Sequence, residues 1–178
     1  MVTADRPISL RDGNDPRYRV ADSYLRFWLR FIGPSLPDIA RGRPDLALRR
    51  IRESWPDFRG RAVEPLIRAS LERIAPDDDL LSETGVIGGY WTRSGTVEVD
   101  LVGADRWPGA RQVTMVGSVK WREQAPFTRR DLSDLAAQRA QVPGAGDAAL
   151  VAVSRVGYAS EGGLDRSYGP ADLVAAWQ

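Results

Sequence analysis

Apolar positions in the first half of the chain recur at helical spacing, and those further on alternate as in strands. Residues 18–32 read YRVADSYLRFWLRFI and set Tyr24, Phe27, Trp28 and Phe31 along one helical face. Asp22 or Ser23 would cap this helix, and Gly33-Pro34 would end it. Residues 44–53 predict a short helix. Residues 56–74 predict a longer one, with Phe58, Ala62, Val63, Leu66, Ile67, Leu71 and Ile74 as its apolar stripe. Pro65 should kink that helix or mark its start. APDDD, residues 75–79, reads as a loop.

The period then shortens to two. VIGGYW (residues 86–91) reads as a strand, TRSG (92–95) as a turn, and TVEVDLV (96–102) as a second strand. Strict alternation would put Val97, Val99 and Leu101 on one face and Thr96, Glu98 and Asp100 on the other. Residues 111–121, RQVTMVGSVKW, form a third strand, with Val113, Met115, Gly117 and Val119 opposed to Thr114, Val116, Ser118 and Lys120. Residues 128–142 predict a helix with Leu132, Leu135, Ala136 and Arg139 in register. Residues 148–156 read as a buried strand, and DLVAAW after Gly169 as a last short helix.

This order predicts an α/β domain: a mixed four-stranded sheet flanked by helices, with an N-terminal helical extension. Residues 1–17, broken by Pro7, Gly13 and Pro16, read as a flexible lead-in. Residues 18–178 read as a single domain, comprising a helical extension (18–55), an αβββαβ core (56–156) and a tail (157–178).

Composition narrows the chemistry. The chain of 178 residues has no cysteine and no histidine, so thiolate metal sites, histidine bases and the Ser-His-Asp triad are excluded. A net charge of +1 argues neither for nor against nucleic acid. No apolar run is long enough to span a membrane and the N-terminus lacks an apolar signal core, so the expectation is a cytoplasmic protein with no membrane partner. The chain lacks the G-x-x-x-x-G-K-[ST] phosphate loop, so no ATP site is expected.

Among 25 lysine and arginine residues, Lys120 is the single lysine, and it ends the third strand. Asp100 ends the second, with Glu98 two positions before it, and Glu64 lies on the long helix. Pairing of these strands would bring Asp100 and Lys120 to one sheet edge. Carboxylates there could hold a hard divalent cation for phosphodiester hydrolysis, with the lysine as a point charge beside it. An ordinary cross-strand ion pair is the plainer alternative.

YRVADSYLRFWLRF, GRAVEPLIRASL, EVDLVG and GSVKW, taken in order, resemble a C-terminal domain of unknown function found in prokaryotic and archaeal-type AAA/STAND ATPases. That domain is similar to the PD-(D/E)XK, or restriction-endonuclease-like, nuclease superfamily. The resemblance covers residues 18–156 and implies a nuclease-like core acting on DNA with Mg²⁺ or Mn²⁺. It implies an ATPase and winged-helix module as the preceding partner, with this chain an excised C-terminal domain or a stand-alone remnant. It puts the helix glutamate at Glu64, the metal aspartate at Asp100 and the lysine at Lys120, with Glu98 as a further metal candidate. The glutamate expected two residues before the lysine is replaced by Ser118. Either Glu98, Glu64 or Glu123 supplies a displaced ligand, or the domain no longer cuts. Glu98 would sit about 7 Å along the strand from Asp100, and a bulge would be needed to bring it in.

Three functions follow: a metal-dependent nuclease using Asp100, Glu64 and Lys120; an inactive nuclease-like domain; or a protein-interaction module. The inactive domain would regulate its ATPase or bind nucleic acid, with Arg122, Arg129 and Arg130 as phosphate contacts. The interaction module would offer Trp28, Phe31 and Trp55 to a partner.

Overall fold

The computed structural model describes residues 2–10, 16–160 and 162–178. The chain divides into two compact units: residues 2–5 with 16–62, and residues 6–10 with the described chain from Val63 onwards.

In the first unit, strands β1 (Val2–Asp5) and β2 (Arg17–Val20) pair antiparallel, Val2 opposite Val20 and Asp5 opposite Arg17. The stretch that reads as a lead-in thus contributes a strand, joined by an ion pair between Arg19 and Asp5. Helix α1 (Ser23–Phe27) begins where the Asp22 carboxylate accepts the Leu25 amide at 2.6 Å. It runs into a π-helical turn (Trp28–Ile32), a 3₁₀ turn (Gly33–Ser35) and helix α2 (Leu36–Ala40). Gly33-Pro34 therefore changes the winding without ending the helical path. Phe27, Phe31, Trp55 and Phe58 pack ring against ring, with centroids 5.2–6.3 Å apart. Phe31 is buried by this cluster, while Trp55 keeps an exposed edge.

Helix α3 (Pro44–Ile74) is continuous, and the division between units falls within it, after Ala62. The two helices expected here are one, and Pro65 lies in its interior. A proline forfeits one backbone hydrogen bond. Burial of Ile67 and Leu71 on the same helix supplies the opposing gain, since each fully buried aliphatic side chain contributes about 1.5–3 kcal/mol.

The second unit is built on a five-stranded mixed sheet in sequence order: β3 (Val86–Trp91), β4 (Glu98–Ala104), β5 (Val113–Lys120), β6 (Ala149–Ser154) and β7 (Arg166–Tyr168). The first three strands run antiparallel; β5, β6 and β7 run parallel. Helix α4 (Arg129–Arg139) is the crossover from β5 to β6, and α5 (Pro170–Ala175) follows β7. One core layer joins Leu135 of α4 to Val99, Val102, Val116, Leu150 and Ala152. The other joins Ile67 and Leu71 of α3 to Leu101, Met115, Val151 and Val153. The strand expected after 148 thus contributes to both layers, and the tail adds a fifth strand to the four expected.

Two register shifts correct the simple alternation. Gly88 pairs with Val102 but Tyr90 with Val99, so β4 carries one extra residue at Asp100–Leu101. Val99 and Val102 consequently enter one layer and Leu101 the other, where alternation would have put Val99 and Leu101 together. Gly103 pairs with Met115 and Ala104 with Val113, which likewise separates Val113 from Met115.

Candidate functional site

Asp100 sits on the β4 bulge. Its Oδ2 accepts the Val119 amide at 2.8 Å and the Ser118 hydroxyl at 3.2 Å. Ser118 is buried at 3% exposure, so this hydroxyl occupies interior space next to the carboxylate. From α3, Arg68 Nη2 donates to the Asp100 carbonyl at 2.8 Å and lies 3.5 Å from Glu64 Oε2, one helical turn away. Gly89 leaves space for this guanidinium: a Cβ there would lie 2.9 Å from Arg68 Nη2. Arg68 Nε is buried without a hydrogen-bond partner.

Lys120 turns to a different acid. Its Nζ lies 3.8 Å from Asp131 Oδ1, in the first turn of α4. Asp131 is buried and receives the Arg122 fork, Nη1 to Oδ2 at 2.9 Å and Nη2 to Oδ1 at 2.6 Å. It also accepts the Thr128 amide at 2.9 Å and the Thr128 hydroxyl at 2.8 Å, and its own amide points back at the Thr128 hydroxyl. Thr128 and Asp131 thereby form a capping box for α4. Burial by itself would raise the Asp131 carboxyl pKa. The hydrogen bonds from Arg122 and Thr128 outweigh it and hold that carboxyl well below the usual carboxylate range. The same contact raises the Arg122 guanidinium above its ordinary value.

This geometry accounts for the lone lysine. The Asp131 carboxylate already holds a two-pronged guanidinium, and a second fork would compete for the same lone pairs. A compact ammonium fits at the side as a point charge.

The predicted residues are thus divided between separate contacts. Asp100 and Ser118 meet; Lys120 and Arg122 meet at Asp131. The Glu98 side chain is exposed, and its backbone carbonyl accepts from Gln138 Nε2 at 3.0 Å. Glu123 lies 4.0 Å from Arg155. Arg129 and Arg130 are exposed in the first turn of α4, whereas Arg122 is committed to Asp131. Sequence reasoning missed Arg68, Asp131 and Thr128. The T-x-x-D spacing before an apolar-periodic helix was the available signal for the last two.

A magnesium or manganese ion calls for one or more carboxylates with free oxygens directed at a common point. Among the described residues, no group of three or more acids is placed to hold a metal ion. Asp100 spends Oδ2 on two internal donors, and Glu64 has the Arg68 guanidinium beside it. The residues present do not fit such a cation.

Residues 28–135 match the DUF234 family, described as archaeal and bacterial proteins of unknown function. The chain belongs to this family. The DUF234 match runs from the π-helical turn through β5 into α4, and so takes in Glu64, Asp100, Ser118, Lys120 and Asp131. Strands β6 and β7 and helix α5 lie beyond it. No curated protein and no solved structure matches the chain significantly. Among the described residues no helix is long and apolar enough to cross a membrane.

Proposed function

We propose that the second unit is a PD-(D/E)XK nuclease-like domain that binds nucleic acid without cutting it, as the regulatory part of an AAA/STAND ATPase. The observation that carries this reading is the engagement of the catalytic candidates by internal partners: Asp100 by Ser118 and Val119, and Lys120 by Asp131. The αβββαβ order and the positions of Asp100 and Lys120 support descent from a nuclease core. The buried Ser118 removes the carboxylate that a cutting site would use. Arg129 and Arg130, exposed at the start of α4, offer phosphate contacts that position a backbone without reading bases.

The test is a pair of assays on the full chain. Supercoiled plasmid incubated with Mg²⁺ or Mn²⁺ should remain uncut. Binding of duplex DNA should weaken steeply with salt, and Arg129→Glu with Arg130→Glu should weaken it further. Metal-dependent cutting that Asp100→Asn and Lys120→Ala both abolish would overturn the non-cutting reading. DNA affinity unchanged by the double charge reversal would overturn the assignment of the interface.

A further inference from the structure

The first unit contains a pocket of about 450 Å³, lined by Arg26, Arg30, Asp57, Phe58 and Arg61 together with Val20 and Leu29. We infer that this pocket binds a nucleoside phosphate, with the phosphate on the arginines and the base against Phe58 and Leu29. The inference is independent of the nuclease-like unit.

Three arginines line it against one carboxylate, and the Arg30 guanidinium also lies over the Phe31 ring, 5.6 Å from its centroid. Arg26 and Arg30 are one turn apart on α1 and its π-helical continuation; Asp57 and Arg61 are one turn apart on α3. Many of the chain's other arginines are matched to acids, as Arg41 and Arg50 are to Asp38 in the same unit. Among the described residues, no ion pair joins Arg26, Arg30 or Arg61 to an acid, and Asp57 stays unpaired although Arg61 follows at the favourable spacing. The lining therefore carries more positive than negative charge, which favours an anionic ligand. Planar forks match phosphate oxygens two at a time.

The remaining lining selects more than charge. Phe58 and Leu29 form an apolar wall on which a flat ring can lie. Asp57 repels a bare anion but accepts hydrogen bonds from sugar hydroxyls or a base amino group. A ligand with phosphate, donors and a flat ring satisfies all three features. The volume lies within the usual range for small-molecule sites, about 300–1,000 Å³.

Calorimetric titration of the full chain with ADP, pyrophosphate and a short single-stranded oligonucleotide tests the inference. ADP should bind more tightly than pyrophosphate. Arg30→Gln with Arg61→Gln, both at exposed positions, should weaken ADP by about tenfold or more. Phe58→Leu should weaken ADP while leaving pyrophosphate unchanged, and Asp57→Asn should weaken ADP relative to pyrophosphate, which binds more tightly once the repelling carboxylate is gone. Phe58 also packs in the aromatic cluster, so Leu29→Ser at an exposed position repeats that arm if Phe58→Leu loses its folded circular-dichroism spectrum. Stronger binding of the oligonucleotide, lost in the same arginine variants, would uphold the site with a strand as the source of the nucleotide. The inference falls if no probe binds at millimolar concentration, if the arginine variants bind like wild type, or if pyrophosphate matches ADP.

Discussion

Arg122 and Asp131 form a two-pronged ion pair, 2.9 and 2.6 Å, that ties the end of β5 to the first turn of α4. Asp131 also caps the helix, so one side chain closes the β5–α4 connection and anchors the Lys120 ammonium. Asp131→Ala should destabilise the second unit by about 3 kcal/mol, because it leaves Arg122 and the Thr128 amide without their buried acceptor. Arg122→Ala should cost less, about 1 kcal/mol, since the guanidinium is 40% exposed and partly screened by water. Urea unfolding of both variants checks the order.

The same pair sets the response to acid. The Asp131 pKa is lowered in the folded state, so its contribution to stability is complete above the unfolded carboxylate value, about 3.9, and is lost as pH falls through the lower folded value. Asp78 acts in the same sense. Burial would raise its carboxyl, but the Tyr168 hydroxyl, the Leu80 amide and Arg166 hold it down. Thermal midpoints should therefore fall below about pH 4, and Asp131→Asn should flatten that slope.

Tyr168 sets the opposite limb. Its phenol is pushed up, first by burial and then by donating to Asp78 Oδ2 at 2.8 Å. The neutral form is favoured in the fold, so this contribution is present below the unfolded phenol value of about 10 and is lost as pH rises through the folded one. Tyr168→Phe should remove part of the alkaline loss, measured as the pH dependence of the unfolding midpoint above pH 9.

Ser118 separates architecture from lost chemistry. Ser118→Ala removes one of the two donors to Asp100 Oδ2 and should cost about 1 kcal/mol. Ser118→Glu puts a second carboxylate into buried space beside Asp100 and should destabilise by more. If Ser118→Glu instead unfolds at the wild-type urea midpoint, the interior account of this position is wrong.

Tyr158 should prove essential to β7. Its hydroxyl accepts the Ser154 amide at 3.1 Å and the Tyr168 amide at 3.0 Å, with the Ala152 and Tyr168 carbonyls also in reach at 2.9 and 2.7 Å. Tyr158→Phe leaves both amides without that acceptor, at about 1–3 kcal/mol. Hydrogen exchange should rise first at Tyr168 and Ser154; unchanged protection there would show that strand pairing alone holds β7.

The αβββαβ order was readable from the chain because it rests on local period. β3 follows the expected bounds, β4, β5 and β6 lie within two residues of theirs, and α4 starts as expected but ends three residues early, since apolar alternation and a threonine cap are local signals. Other features depended on contacts distant in sequence. β7 is only three residues long and is held by a tyrosine ten positions earlier. Pro65 was overridden by the burial of Ile67 and Leu71 in the turns that follow it. Lys120 does end β5, but Asp100, expected at a strand end, lies inside β4 on its bulge, and neither partner could be read locally. A one-residue bulge rotates Asp100 towards Ser118, and a helix crossover delivers Asp131 to Lys120. The sequence by itself determined which segments are strands and helices, because that depends on spacing along the chain. The tertiary structure alone decided which charge meets which, because a single slip in register reassigns every side chain beyond it.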